Sequence, residues 1–385
     1  MREIRCDGSP AAVAELADAM ADAMAGGPTV LPLDANQPRI AELRAAMAPD
    51  EPVEPNTAVI IPTSGSTGAA KGVLLSAAAL RASATATHDR LGGPGRWLLA
   101  TPAQYIGGVQ VLVRSLVAGS RPGVVDLSGP FRADPFADAA APVLADPGPR
   151  YTAIVPTQLS QLLDEGGRGL AALRAFDAVV VGAAATPVEL ADRAAAAGVG
   201  IVAAYGMSET ASGCVYDGLP LDIVTLRLAD DDRIELAGPM LANGYRRDPD
   251  LTATAFQNGW FRTGDTGRLR DDGRLEVLGR ADDLINTGGV KVSPTLVERV
   301  LAAQPGVRAA CVVGLPDPRW GQAVMAVVVP LDPADPPEPA GLADAVRGEL
   351  GRTAVPKRFG FVDRLPLRGP GKVDRAAVRA FLAGP

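Results

Sequence analysis

The segment Thr63 to Gly72 reads Thr-Ser-Gly-Ser-Thr-Gly-Ala-Ala-Lys-Gly, a concentration of glycines and hydroxyls ending in one lysine. Such a loop can turn backbone N–H groups onto phosphate oxygens. Thr63, Ser64, Gly65, Ser66, Thr67 and Gly68 would line it, and Lys71 would supply charge. An apolar run ending at Ile61 precedes the loop and a helical stretch is expected after it, the context of a phosphate-binding loop. The Walker spacing G-x-x-x-x-G-K-[ST] is not met, because Lys71 follows Ala70 and precedes Gly72. A phosphotransferase is therefore the weaker of the nucleotide readings.

Lysine is scarce here. Lys71, Lys291, Lys357 and Lys372 are the only four among 37 Lys and Arg residues, and three of them sit in Gly-rich segments. A compact ammonium on a flexible stem differs from a planar guanidinium where phosphates are handled. His88 is the single histidine, so a Ser-His-Asp or Cys-His nucleophile system would have to be built around it. It falls in a stretch, 76–91, that reads as an Ala- and Thr-rich helix, where a packing or solvent-facing role is expected. Cys6, Cys214 and Cys311 are odd in number and far apart, which gives neither a disulfide framework nor a zinc site and points to buried thiols.

The chemistry must be positioned by a chain of 385 residues, 47% hydrophobic, long enough for two domains. From 57 to 206, short apolar runs at Ala58–Ile61, Trp97–Ala100, Thr152–Val155, Ala178–Val181 and Ile201–Ala204 alternate with Ala-rich helical stretches. That alternation predicts parallel strands with crossover helices, and ligands gather at the carboxyl ends of such strands. Ser9-Pro10 and Thr186-Pro187 are read as two helix starts. After Gly206 short strands and turns, among them Asn243-Gly244 and Asp271-Asp272-Gly273, predict a β-rich subdomain. Beyond Gly279-Arg280 a smaller α+β pattern begins, with a helix opened by Ser293-Pro294. The fold class is therefore α/β: a large N-terminal domain, 1–281, of parallel α/β sheets with a β-rich subdomain, and a small mobile α+β domain, 282–385. A net charge of −7 spread along the chain leaves no basic footprint for nucleic acid. No apolar run approaches a bilayer span and the first residues do not lead into a signal-peptide core, so a cytoplasmic protein without membrane insertion is expected.

Five ordered motifs resemble those of the adenylate-forming superfamily, which includes acyl-CoA synthetases, luciferases and peptide-synthetase adenylation domains. They are the 63–72 loop, Tyr205-Gly206-Met207-Ser208-Glu209-Thr210, Trp260-Phe261-Arg262-Thr263-Gly264-Asp265, Gly279-Arg280-Ala281-Asp282-Asp283 with the loop from Asn286 to Pro294, and Gly369-Pro370-Gly371-Lys372. The resemblance implies that Lys372, on the mobile domain, bridges carboxylate and α-phosphate, that Glu209 holds Mg2+ and that Ser208 contacts the α-phosphate. It further implies that Tyr205 and Gly206 pack by adenine, that Asp265 presents both carboxylate oxygens to the ribose, and that Arg280 reaches ribose or phosphate. Gly182, Ala183 and Ala184 match a turn beside adenine, with Ala183 in place of a glycine. Asp282 would be the hinge, and Gly288, Gly289 and Lys291 would face coenzyme A in the thioester-forming orientation.

The acceptor and the acid are narrowed by the same resemblance. The 288–289 loop and hinge look like the acyl-CoA synthetase version, which makes ATP and coenzyme A the co-substrates. Thr152 to Leu159 resembles a segment of o-succinylbenzoate-CoA ligases of menaquinone synthesis, and the 62 residues ahead of Thr63 match compact versions of that ligase. Tyr105, where many relatives carry histidine, is expected to wall the acyl pocket, with Thr157 and Gln158 nearby. Gly107 and Gly108 are expected to leave room for an aromatic carboxylate. Another aryl- or fatty-acyl-CoA synthetase remains an alternative, and relatives commonly form homodimers.

Overall fold

Helix starts are set by serines. The Ser9 side chain accepts from the Ala12 N–H at the head of helix Pro10–Met24, and Pro10 sits in the first turn, where its missing N–H costs nothing. Ser76 and Ser293 cap helices Ala77–Leu91 and Pro294–Ala302 in the same way. Thr186 does not. The next helix is Val188–Ala196 with Pro187 itself at the cap, so the threonine hydroxyl lies one residue too early to reach the free N–H groups.

The computed structural model describes residues 1–64, 70–367 and 373–383, and these form an α/β structure with four sheets. The sheet at the centre of the N-terminal half runs in the order Leu219–Pro220, Ser212–Tyr216, Ile201–Met207, Ala178–Val181, Arg150–Ile154, Arg96–Leu99, Gly123–Val124. Its five strands from Ile201–Met207 to Gly123–Val124 are parallel, and helices cover it. Four of the five apolar runs expected to pair in parallel lie here.

The fifth does not. The Ala58–Ile61 run belongs to a separate sheet, ordered Arg2–Cys6, Val30–Asp34, Val59–Ser64, Ala70–Leu75, Gly244–Tyr245. Its first three strands are parallel, but Val59–Ser64 then turns back antiparallel onto Ala70–Leu75, with Thr63 opposite Lys71. The expected strand–loop–helix is thus corrected to a hairpin. The reason is the apolar run Val73-Leu74-Leu75, fully buried between the sheet's two faces, which postpones the helix to its cap at Ser76. A second correction concerns Asn243-Gly244, which does not turn a hairpin. Gly244–Tyr245 instead adds an edge strand to the first sheet, Gly244 opposite Leu74 and Tyr245 opposite Val73.

The β-rich subdomain is an antiparallel sheet of Thr225–Leu228, Arg233–Ala237, Trp260–Leu269 and Phe256–Gln257, with Leu275–Arg280 paired to the long strand Trp260–Leu269. The last sheet begins at Ile285 and joins Val290–Val292, Ile285–Thr287, Gly321–Pro330, Val307–Asp317 and Arg358–Phe361. It has its own core, with Val297, Leu301, Val312, Val324, Ala326 and Val328 buried beneath helices Pro294–Ala302 and Pro339–Leu350. An isolated bridge pairs Leu367 with Val373, and the final helix Arg375–Ala383 follows.

His88 is buried, with its Nε2 accepting from the Trp97 indole N–H at 3.1 Å. Its packing role holds and its exposure does not. The three cysteines are free and buried, and burial pushes each thiol up to about 12. Among the described residues no helix is long and apolar enough to cross a membrane.

Candidate active site

The strand Ile201–Met207 ends in a tight turn, Ser208–Thr210, that buries three polar side chains in succession. Thr210 makes the turn rigid: its hydroxyl accepts from the Met207 N–H at 2.9 Å and donates to the Ser212 carbonyl at 2.7 Å. Gly206 is required at the bend, since a Cβ there would lie 2.0 Å from the Ser212 carbonyl oxygen. The turn presents Glu209, whose Oε1 accepts from the Tyr245 hydroxyl at 2.8 Å and lies 3.8 Å from the Lys71 ammonium. Lys71 also sits over the Tyr245 ring, 4.6 Å from its centroid. Three segments remote in sequence therefore meet at one carboxylate. Burial and the Glu209 charge together push the Tyr245 hydroxyl well above its ordinary pKa, so it stays a donor.

A second cluster forms where Tyr205, on the same strand, meets the β-rich sheet. The Tyr205 hydroxyl donates to Oδ2 of Asp265 at 2.8 Å, and Arg280, directly across the ladder from Asp265, brings its Nη1 to 3.6 Å from Oδ1. Burial raises the Asp265 carboxyl above its usual range, and the Tyr205 hydrogen bond and Arg280 pull the other way. Arg280 also makes a two-pronged contact with Asp282, Nε to Oδ1 at 2.9 Å and Nη2 to Oδ2 at 3.1 Å. The expectation of a carboxylate with both oxygens open is therefore altered. Oδ2 is already engaged, and what it can still offer a diol is its second lone pair alongside Oδ1.

The remaining expected residues are distributed as follows. Thr63 sits opposite Lys71, its hydroxyl donating to the Lys71 carbonyl at 3.2 Å. Gly65, Ser66, Thr67, Gly68 and Lys372 lie outside the described residues, as does the side chain of Ser64. Gly182 follows the Ala178–Val181 strand and donates its N–H to the Ile154 carbonyl at 3.2 Å, while Ala183 and Ala184 are exposed. Ala183 takes φ +69°, the left-handed region that favours the glycine it replaces. Gly288 and Gly289, both at positive φ, form the two-residue turn between Ile285–Thr287 and Val290–Val292, and Lys291 is exposed on that hairpin.

The residues expected at the acyl pocket are placed as follows. Gly107 is open, with nothing within 4 Å of the place a Cβ would take, but Gly108 leaves no room: a Cβ would stand 2.4 Å from the Pro102 carbonyl oxygen, so this glycine serves close backbone packing. Gln158 is buried and spends its amide on the backbone, accepting from the Val155 N–H at 3.0 Å and donating to the Ala100 carbonyl at 2.7 Å. Reaching back to a free N–H is what a glutamine at the third helical position does. Thr157 is exposed on the first turn of the same helix, Pro156–Glu165. Tyr105 donates to Oδ2 of Asp34 at 3.0 Å, which ties the start of helix Ile106–Val117 to the carboxyl end of strand Val30–Asp34.

Sequence reasoning points to neither Tyr245 nor Asp34. Tyr245 is hidden inside a stretch with the look of a turn, and its partners lie in distant segments. Asp34 carries a weak signal, the last residue of a parallel strand, where ligand-facing groups collect.

The model of the AMP-binding enzyme family matches residues 7–245, and that of the AMP-binding enzyme C-terminal domain matches residues 296–372. The chain belongs to the AMP-binding enzymes. This AMP-binding enzyme is 46% identical, over 89% of its own length and 89% of the relative's, to a probable 2-succinylbenzoate–CoA ligase of Mycobacterium tuberculosis. Among solved structures, it superposes on the o-succinylbenzoate CoA synthetase of Bacillus subtilis in complex with its acyl-adenylate intermediate with a TM-score of 0.74. The two are 26% identical, and the match covers 95% of this chain and 81% of that one. The amide bond synthetase of Marinactinospora thermotolerans gives a TM-score of 0.77 at 30% identity, covering 97% of this chain and 79% of that one. The α/β architecture and the adenylate-forming resemblance both stand on these matches.

Proposed function

We propose that the chain is an o-succinylbenzoate-CoA ligase acting in menaquinone synthesis. The observation that carries the substrate assignment is the 46% identity, spread over 89% of both chains, to a probable ligase of that acid. In the first half-reaction a carboxylate oxygen attacks the α-phosphorus of ATP, the bond to the β-phosphate oxygen breaks, and pyrophosphate leaves. In the second, the thiol of coenzyme A loses its proton and attacks the acyl carbon, and AMP departs.

The chain's own groups divide this work. The 63–72 loop, with Lys71 at its end, holds the departing pyrophosphate. Ser208 meets the α-phosphate, and Lys372 bridges it to the attacking carboxylate, offsetting the repulsion between two anions. Gly182, Ala183, Ala184, Tyr205 and Gly206 line the adenine side, and Asp265 with Arg280 takes the ribose. Domain 1–281 holds ATP and acid, with Tyr105 and Gly107 at the acyl group. Domain 282–385 pivots at Asp282 to exchange Lys372 for Gly288, Gly289 and Lys291, which face coenzyme A.

A magnesium ion fits the donor set. Among the described residues no group of three His, Cys, Asp or Glu side chains could cage a metal, and Glu209 is a single buried carboxylate beside a phosphate loop. That suits a cation that arrives on the phosphates and keeps most of its oxygen ligands from them and from water. Bound there, it would neutralise charge on the leaving group. Co-substrates drawn from the ATP and coenzyme A pools support a cytoplasmic location, and light scattering in solution reads whether the homodimer common among relatives forms.

The test is a panel of acids, o-succinylbenzoate, benzoates and fatty acids, scored by AMP release with coenzyme A and by acid-dependent exchange of labelled pyrophosphate into ATP. Strong preference for o-succinylbenzoate is expected. Exchange with another acid only would move the assignment to a different acyl-CoA synthetase, and ADP in place of AMP would restore the phosphotransferase. The likeness to an amide bond synthetase favours one second reading, an amine acceptor. AMP release with an amine but not with coenzyme A would select it.

A further inference from the structure

Tyr245 is 5% exposed and reaches the site on a two-residue strand, yet its hydroxyl lands on one oxygen of Glu209 and its ring carries Lys71. The strand is held on both flanks. Asn243 donates its N–H to the Leu74 carbonyl at 2.8 Å and Arg246 donates to the Gly72 carbonyl at 2.7 Å. Arg246, itself buried, further ties this segment to the carbonyls of Met47, Ala48 and Pro52. A side chain fixed this firmly sets the orientation of whatever it binds. The hydrogen bond to Oε1 restrains the rotation of the Glu209 carboxylate, and among the described residues Oε1 is the oxygen that meets both the Tyr245 hydroxyl and Lys71.

We propose that Tyr245 is a positioning residue for adenylate formation, holding Glu209 by one oxygen so that the other meets the divalent cation of ATP while the tyrosine ring holds Lys71 alongside. This rests on the reading of Glu209 as the cation's protein ligand. The arrangement is the outer-sphere support that metal-binding carboxylates use elsewhere: a ligand oriented by a neighbour costs less to immobilise when the ion arrives. It also explains why a hydroxyl, and not merely an aromatic ring, stands at this buried position beside a carboxylate.

The test is Mn2+ binding to the full chain in the presence of ATP, read by the electron paramagnetic resonance of free Mn2+, for the wild type, Tyr245→Phe and Glu209→Gln. Thermal unfolding and metal-free ATP binding are measured in parallel. Phenylalanine keeps the ring and its Lys71 contact, so Tyr245→Phe is expected to weaken Mn2+ binding roughly tenfold, with metal-free ATP binding unchanged. Its pyrophosphate exchange should return toward the wild-type rate as metal is raised. Glu209→Gln is expected to weaken Mn2+ more, without recovery. Wild-type Mn2+ affinity in Tyr245→Phe beside a loss in Glu209→Gln would overturn the role of Tyr245 alone. Wild-type affinity in both would overturn the reading of Glu209 and the inference with it. A purely structural tyrosine would lower the unfolding temperature and leave the metal titration where it was.

Discussion

Two clusters in the N-terminal part of the chain are built from nearly the same side chains and do opposite things. In one, the Lys71 ammonium stands 4.6 Å from the Tyr245 ring beside a carboxylate, with 30% of the lysine side chain exposed. In the other, the Arg114 guanidinium stands 4.8 Å from the Trp97 ring and donates to the Tyr216 hydroxyl at 3.2 Å, with the residue only 2% exposed. Thr87 and His88 complete this second cluster through Tyr216 and Trp97. It holds the chain's only histidine and a buried cation that pairs with no carboxylate among the described residues, features that in isolation would draw attention as chemistry. What separates the two is access and counter-charge. The first lies at the end of a loop and pairs a cation with an anion that can exchange partners, whereas the second is sealed into the main core and offers nothing a ligand could displace.

That contrast can be broken in three ways, all read as unfolding free energy. Trp97→Ala removes a fully buried ring that packs on Tyr151, Arg114 and His88, and should cost about 3–5 kcal/mol in denaturant unfolding. The metal requirement of pyrophosphate exchange should not move with it, and a shift there would join the two clusters functionally. Next is pH. Burial, aided by Arg114, holds His88 down at about 4 against an ordinary value near 6.5. The unfolded chain therefore binds a proton that the folded one refuses. Stability from this group is complete above about pH 6.5 and falls by up to about 3 kcal/mol as pH drops toward 4. His88→Gln should flatten that slope, and a slope unchanged by the substitution would place the acid sensitivity elsewhere. The smallest effect belongs to the open cluster. Lys71→Met loses a partly exposed ion pair at 3.8 Å and should change stability by no more than about 1 kcal/mol, although exchange activity falls. A loss of several kcal/mol would make Lys71 a core residue like Arg114.

The sequence discloses what is local. Serine caps at positions 9 and 293, the four parallel runs of the central sheet, and the Gly288-Gly289 turn are all written in neighbouring residues. The setting of the phosphate loop is not, because Val73-Leu74-Leu75 is too short for its period to separate strand from helix, and only pairing with Val59–Ile61 decides it. The backbone obligations of Gln158 and Gly108, to Val155, Ala100 and Pro102, appear only once the chain is folded. Tyr245 is illegible for the same reason on a longer scale. Its meaning comes from Glu209 and Lys71, and nothing within its own stretch distinguishes it from a turn tyrosine. Ala183 is the reverse case, a departure from the family pattern visible in the sequence whose backbone cost, a positive φ, only the folded chain reveals.

The edge strand Gly244–Tyr245 has a consequence for biogenesis. The phosphate-loop hairpin is finished by residue 75, and the central sheet receives its last parallel strand from Ile201–Met207, yet the outer flank of the hairpin stays unpaired until residue 245 arrives. On the ribosome, where domains fold as they emerge, the nascent chain carries an exposed strand edge for some 170 residues of synthesis. Pairing of Leu74 with Gly244 closes that edge and delivers Tyr245 to Glu209 in one event. The pairing that covers the hairpin edge is thus also the one that sets Tyr245 against Glu209.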